Sequence, residues 1–144
     1  MKLMPTSFTF SNDPALIDRG LVHRWLSEES YWAKGRSRAT QDAAIDASRN
    51  YSIRDEGDRQ VGYARVVTDG VTFAWLCDVF VVEEARGHGV GKMLVEGVLE
   101  DLRESSTVKR IMLATSTASG LYAQYGFAPS ADPNHYMVKL IDRG

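Results

Sequence analysis

A mixed α/β fold, a mostly antiparallel sheet with one parallel strand pair and helices on both faces, follows from three features of the sequence. Strand-like segments at residues 50–54, 60–68 and 71–82 are joined by turn signals at 55–58 and at Asp69-Gly70, the mark of hairpins. A glycine-rich loop at 83–92 leads into a helix-period segment ending near Arg103, and an apolar strand at 109–115 follows. Strand, loop, helix and strand make a crossover unit, so its two strands should lie parallel with a right-handed connection.

Each element has a local cause. Residues 7–10 form the first strand candidate. Asp13 suits an N-cap and Pro14 the first position of a helix, whose apolar face carries Ile17, Leu21, Val22, Trp25 and Leu26. The stretch 27–37, with Tyr31, Trp32 and Gly35, is irregular. Thr40 is placed to cap a second helix through Ala43, Ala44, Ile45 and Ala47. The run 71–82 is apolar almost throughout, as in a central strand covered on both faces, and Asp78 is its one charged residue. After the loop, Val90, Met93, Leu94, Val98 and Leu102 repeat at helical spacing. Residues 118–125 read as a short helix stopped by Gly126, and 136–141 alternate like a final strand.

The chain has 144 residues, which suits a single domain over 1–144 with a real core. Apolar residues at 44% and charged residues at 25% argue against disorder. A net charge of −2, with both signs interspersed, lacks the basic stripe that nucleic acid requires. Cys77 is the only cysteine, so no internal disulfide forms, and its apolar neighbours suggest a buried thiol. Residues 1–10 lack the apolar block of a signal peptide, and no apolar run approaches the ~20 residues of a membrane span. A cytoplasmic protein without membrane or nucleic-acid partners is expected.

Gly87, Gly89 and Gly91 stand at alternate positions between a buried strand and a helix. Without side chains there, backbone can approach a ligand and adopt positive φ. The first helical turn offers unpaired N–H groups and the positive end of the dipole, which suits a phosphate. Arg86 can add a bidentate cation and Lys92 a second charge. The dinucleotide fingerprint G-x-G-x-x-G fails here by one residue. The triphosphate loop fails twice, because Arg86 stands where its first glycine should be and Met93 follows Lys92.

What fits is Arg86-x-x-Gly89-x-Gly91, which resembles the pyrophosphate-binding loop of the GNAT N-acetyltransferase superfamily. Val79-Phe80-Val81-Val82 looks like the fourth strand of that family, and Gly120-Leu121-Tyr122-Ala123-Gln124-Tyr125-Gly126-Phe127 looks like its late helix with the Tyr…Gly-Phe signature. The likeness is good from about Gln60 to Phe127 and weak before Asn50. It implies acetyl-CoA in a gap between the strands ending at Val82 and Thr115, with no metal. The pantetheine arm would pair with backbone of Val79 to Val82, and the pyrophosphate with N–H groups of Gly87, His88, Gly89, Val90, Gly91 and Lys92. A backbone N–H near Phe80 or Val81 would face the developing oxyanion.

The resemblance assigns Tyr122 as the acid that protonates the leaving thiolate; simple packing on the cofactor is the competing role. Asp78, costly inside an apolar strand, either holds or deprotonates the acceptor amine or is a buried partner of an arginine. Thr115 stands where the family often has an asparagine, and its hydroxyl could bind cofactor or backbone. Tyr31 and Trp32 could line an acceptor pocket or pack under a loop, and Lys34 and Arg36 could bind an acidic acceptor or face water. The expected activity is acetyl transfer from acetyl-CoA to a small-molecule primary amine by direct attack. A non-catalytic acyl-CoA sensor or partner-binding module on the same fold is the alternative. A homodimer is a fold-level expectation.

Overall fold

The structure, a computed structural model, describes residues 7–144. Residues 1–6, part of the N-terminal segment that lacks a signal-peptide pattern, lie outside the described residues. Five strands form one sheet in the order β1-β2-β3-β4-β5: β1 Phe8–Ser11, β2 Arg49–Asp55, β3 Gln60–Thr68, β4 Ala74–Val81 and β5 Ile111–Met112. The first four pair antiparallel, and β5 pairs parallel with β4 after the crossover through helix α3, Val90–Ser105.

Consecutive residues of β2 show how the two faces are covered, since side chains alternate along a strand. The Asn50 amide donates to Ile45 O at 2.8 Å, in helix α2, Arg38–Asp46. The next residue, Tyr51, donates its hydroxyl to Asp101 of α3. Helix α3 buries Val90, Leu94, Val95, Val98 and Leu102, a stripe at helical spacing. Each such side chain contributes about 1.5–3 kcal/mol relative to exposure. Gly97 lets α3 lie close on β1, for a Cβ there would fall 2.2 Å from the Phe10 ring.

Several boundaries differ from the sequence reading. Asp13 does cap a turn, but only a 3₁₀ turn, Pro14–Leu16; Asp18 then caps α1, Arg19–Arg24, which runs on as a wider π turn through Glu29. Ser37, not Thr40, caps α2, accepting from the Thr40 N–H at 3.1 Å. The strand expected at 109–115 shortens to β5, two residues long. Helix α4 covers Ser119–Ala123.

The final strand expected at 136–141 does not form. Met137 and Val138 are 95% and 88% exposed, and Leu140 and Ile141 also face outward. Alternation gives β propensity, but a strand needs a partner. The free outer edge of β5 is two residues long and offers almost no ladder. Tyr136 alone is tied down: Arg110 bonds its hydroxyl and lies over its ring at 5.5 Å.

Candidate functional site

Strands β4 and β5 pair only at Ala74–Ile111 and Trp75–Met112. Beyond these pairs the two chains diverge around a cavity of about 590 Å³, walled by Cys77, Asp78 and Val79 on one side and by residues 113–118 and Tyr122 on the other. The divergence has a local cause. Between Tyr63 and Arg65 the β3–β4 register shifts, because Tyr63 faces Phe80 whereas Arg65 faces Cys77. Strand β4 thus carries one extra residue, and Asp78 sits there at φ 53°, in the left-handed region. Such a bulge bends its strand and increases the twist, which carries the end of β4 away from β5.

The backbone of β4 divides its hydrogen bonds between two sides. The Val82 N–H donates to Val61 O at 3.0 Å, toward β3. Alternation along an antiparallel ladder turns Phe80 the same way and directs the N–H and C=O groups of Val79 and Val81 to the gap. The Val81 carbonyl indeed accepts from Arg86 Nε at 3.0 Å. Of the two amides considered for an oxyanion, that of Val81 therefore has the suitable direction. The Phe80 side chain is buried on Trp25, with ring centroids 5.3 Å apart.

Past β4 the loop is built from backbone. Gly87 and Gly89 both have φ 81°, and Gly89 is the left-handed N-cap of α3. Gly91 has a different reason to be glycine: a Cβ there would lie 3.3 Å from Leu121 of α4. No side chain among the described residues caps α3, and Met93 is the first to bond within it, to Gly89 O at 3.0 Å. The N–H groups of Val90, Gly91 and Lys92 thus lack intrahelical partners. Arg86, His88 and Lys92 are exposed around them, with the Arg86 guanidinium 5.7 Å over the Phe80 ring.

Tyr122, on α4, is buried and lines the cavity, packed edge-on to Phe127 at 5.8 Å. Burial, with a lesser contribution from Tyr31, pushes its hydroxyl above the ordinary phenol range, so it is protonated at neutral pH. Thr115 uses its hydroxyl locally, accepting from the Ala118 N–H at 3.0 Å and so turning the chain into α4. Tyr31 bonds Ser116 Oγ at 2.6 Å, and both Tyr31 and Trp32 line the cavity.

Asp78 is partnered by arginines. Its side chain is 2% exposed, and Oδ2 accepts from Arg36 Nη1 at 2.8 Å and Arg65 Nε at 2.9 Å. Oδ1 accepts from Trp32 Nε1 at 2.9 Å. Burial alone would raise this carboxyl, but the bonds and charges of Arg36 and Arg65 outweigh it and hold it below the usual carboxylate range. Arg36 is itself braced by Gln41 Oε1 at 2.9 Å, and its carbonyl bonds His23 Nε2 at 2.8 Å. Arg65 reaches Ser48 Oγ at 3.0 Å. Sequence reasoning missed Arg65, although a lone arginine inside a strand hairpinned to one with a lone aspartate was a usable signal.

A gap between splayed strands with a buried phenol on its wall, and a helix N-terminus with free amides past the end of β4, suit an acyl-transfer class of site. Comparison with known proteins makes this specific. Residues 20–127 match the model of the acetyltransferase (GNAT) family. A GNAT-family protein from Xanthomonas campestris pv. campestris, solved by crystallography, is 43% identical, with TM-score 0.87 over 96% of this chain and 95% of that one. A relative from Gibberella zeae with an acetyltransferase name is 27% identical over 81% of this chain and 76% of its own length. A Mycobacterium tuberculosis protein solved in complex with CoA shares the fold, at 17% identity and TM-score 0.68 over 83% of this chain and 71% of its own. The chain belongs to the GNAT acetyltransferase family.

Proposed function

We propose that this protein is a cytoplasmic, single-domain N-acetyltransferase that moves the acetyl group of acetyl-CoA to the primary amine of a small molecule within a ternary complex. The observation that carries the reading is Tyr122: a buried, protonated hydroxyl on the wall of the β4–β5 gap.

The chain's groups suit acetyl-CoA. The free amides of Val90, Gly91 and Lys92, with Arg86 and His88 alongside, would hold its diphosphate, and Gly87 and Gly89 leave the space for it, since nothing stands within 4 Å of a Cβ at either. The inward-turned backbone of Val79 and Val81 would pair with its extended arm. Bound there, acetyl-CoA supplies a thioester, whose carbonyl carbon is the electrophile. The Val81 N–H is the donor available to the carbonyl oxygen as the amine adds. Tyr122 gives its proton to the sulfur as the C–S bond breaks and recovers one from water. Asp78, held by three donors, positions Arg36, Arg65 and Trp32, and the incoming amine loses its proton to water in the cavity.

Calorimetry with acetyl-CoA and a thiol-release assay over a panel of amines test the reading. Binding with turnover supports it, while binding without turnover on any amine favours the sensor. Tyr122→Phe is expected to lower kcat by about 10²–10⁴ with acetyl-CoA affinity retained. Unchanged turnover removes the acid role.

The reading includes a homodimer. Its support is the exposed run at 136–141, tied at Tyr136 to Arg110 just before β5, and the edge position of β5, both of which a second copy would cover. Light scattering is expected to give twice the chain mass for the full chain and a monomer once residues 136–144 are removed.

A further inference from the structure

Among the described residues, two guanidinium groups and one carboxylate are the only formally charged side chains lining the β4–β5 cavity: Arg36, Arg65 and Asp78. Two positive charges less one negative leaves one positive charge over. The carboxylate is already committed to cations: Oδ2 takes both arginines and Oδ1 takes Trp32, which leaves one accepting site on Oδ1. The arginines do have capacity left. Arg36 uses Nη1 for both Asp78 and Gln41, which leaves Nη2 and Nε without a side-chain partner among the described residues. Arg65 uses Nε and Nη1, which leaves Nη2. Both side chains are mostly buried, at 20% and 14% exposed, so water screens their surplus charge poorly.

We infer that the acceptor carries an oxyanion group, a carboxylate or phosphonate, which Arg36 and Arg65 bind while its amine lies toward Tyr122. A carboxylate matches the planar fork of a guanidinium, and charge-assisted bonds of this kind are about twice as strong as neutral ones. None of residues 86–92 lines this cavity, so an anion held at the glycine loop leaves the surplus charge here uncompensated. The exposed faces of Tyr31 and Trp32, packed edge to face at 5.0 Å, stand at the same cavity for the uncharged part of the acceptor. Amines without an anionic group would face a like charge, with the one carboxylate already paired to two arginines. The inference rests on the acetyltransferase reading for the amine and not for the anion site.

The test compares matched acceptors on the full-length enzyme: α-amino acids, their carboxamides, the corresponding decarboxylated amines and aminoalkylphosphonates. The inference expects kcat/KM at least tenfold higher for an acid than for its carboxamide, carried mainly by KM. Arg36→Gln is expected to bring that ratio toward one, and Arg36→Lys to restore part of it. The phosphonate arm separates the two oxyanions. Equal or better turnover of carboxamides and decarboxylated amines overturns the inference and leaves the acetyltransferase reading intact. Calorimetry with N-acetyl amino acids against N-acetyl amino amides needs no turnover and holds even where a variant fails to fold: selective binding of the acids supports the site, and equal binding sinks it. Failure of acetyl-CoA itself to bind counts against the transferase reading alone.

Discussion

The cavity wall and the glycine loop are built of opposite materials. At the wall, a buried carboxylate is locked by two arginines and a tryptophan drawn from separate parts of the chain. At the loop, Gly87 and Gly89 have open space where side chains would stand, and the groups on offer are backbone amides. The loop's shape depends on φ values, while the wall's shape depends on one carboxylate holding two cations together. Damage at the wall should therefore cost stability first, and damage at the loop should cost little stability.

Asp78→Ala sets the largest difference. It leaves two mostly buried arginines without their counter-ion, and urea unfolding is expected to show a loss of about 3–5 kcal/mol. A loss below about 1 kcal/mol, the size of an exposed ion pair, would erase the contrast. Asp78→Asn keeps the side-chain size and one accepting oxygen, so it should lose less. Its gap to the parent protein also has a pH signature. The native carboxyl lies below its ordinary value, so its contribution is present above the unfolded pKa of about 3.9 and is lost as pH falls through the native value. The gap is expected to hold from neutral pH to about 5 and to close below about 4.

At the loop, Gly89→Ala meets no atom within 4 Å, so its cost is conformational only, about 1–2 kcal/mol for a left-handed residue. Urea unfolding together with acetyl-CoA calorimetry checks it, and an affinity loss larger than the stability loss is the expected pattern. The smallest effect concerns Cys77, beside Asp78 on the wall. Burial pushes its thiol up to about 11 despite the nearby Arg65. Alkylation by iodoacetamide is expected to stay slow through about pH 8 and to rise as pH approaches that value. A fast reaction at neutral pH would mean that the arginines are less committed to Asp78 than their geometry indicates.

The same contrast explains what could be read from the chain alone. Gly87, Gly89 and Gly91 lie close together in sequence, so their spacing by itself marks the loop. The hairpins, the crossover and the short helix that carries Tyr122 were legible for the same reason, as each rests on local signals or a short motif. The wall was not legible, because Asp78, Arg65, Arg36 and Trp32 meet only through the bulge in β4 and the turn after α1. Asp78 invited two readings, and no local rule could choose between them. The run at 136–141 shows the converse: a strand pattern is local, but a strand needs an edge of adequate length, and β5 is too short.

The left-handed backbone at Asp78 ties two otherwise independent demands to a single codon. Glycine would accept that conformation but bring no charge. Glutamate would bring the charge on a longer arm, without aspartate's tolerance of positive φ. Asparagine would accept the conformation and leave both cations unanswered. A saturation library at this position should therefore be the narrowest in the protein, and the curvature of the sheet and the charge of the pocket would have to change together or not at all.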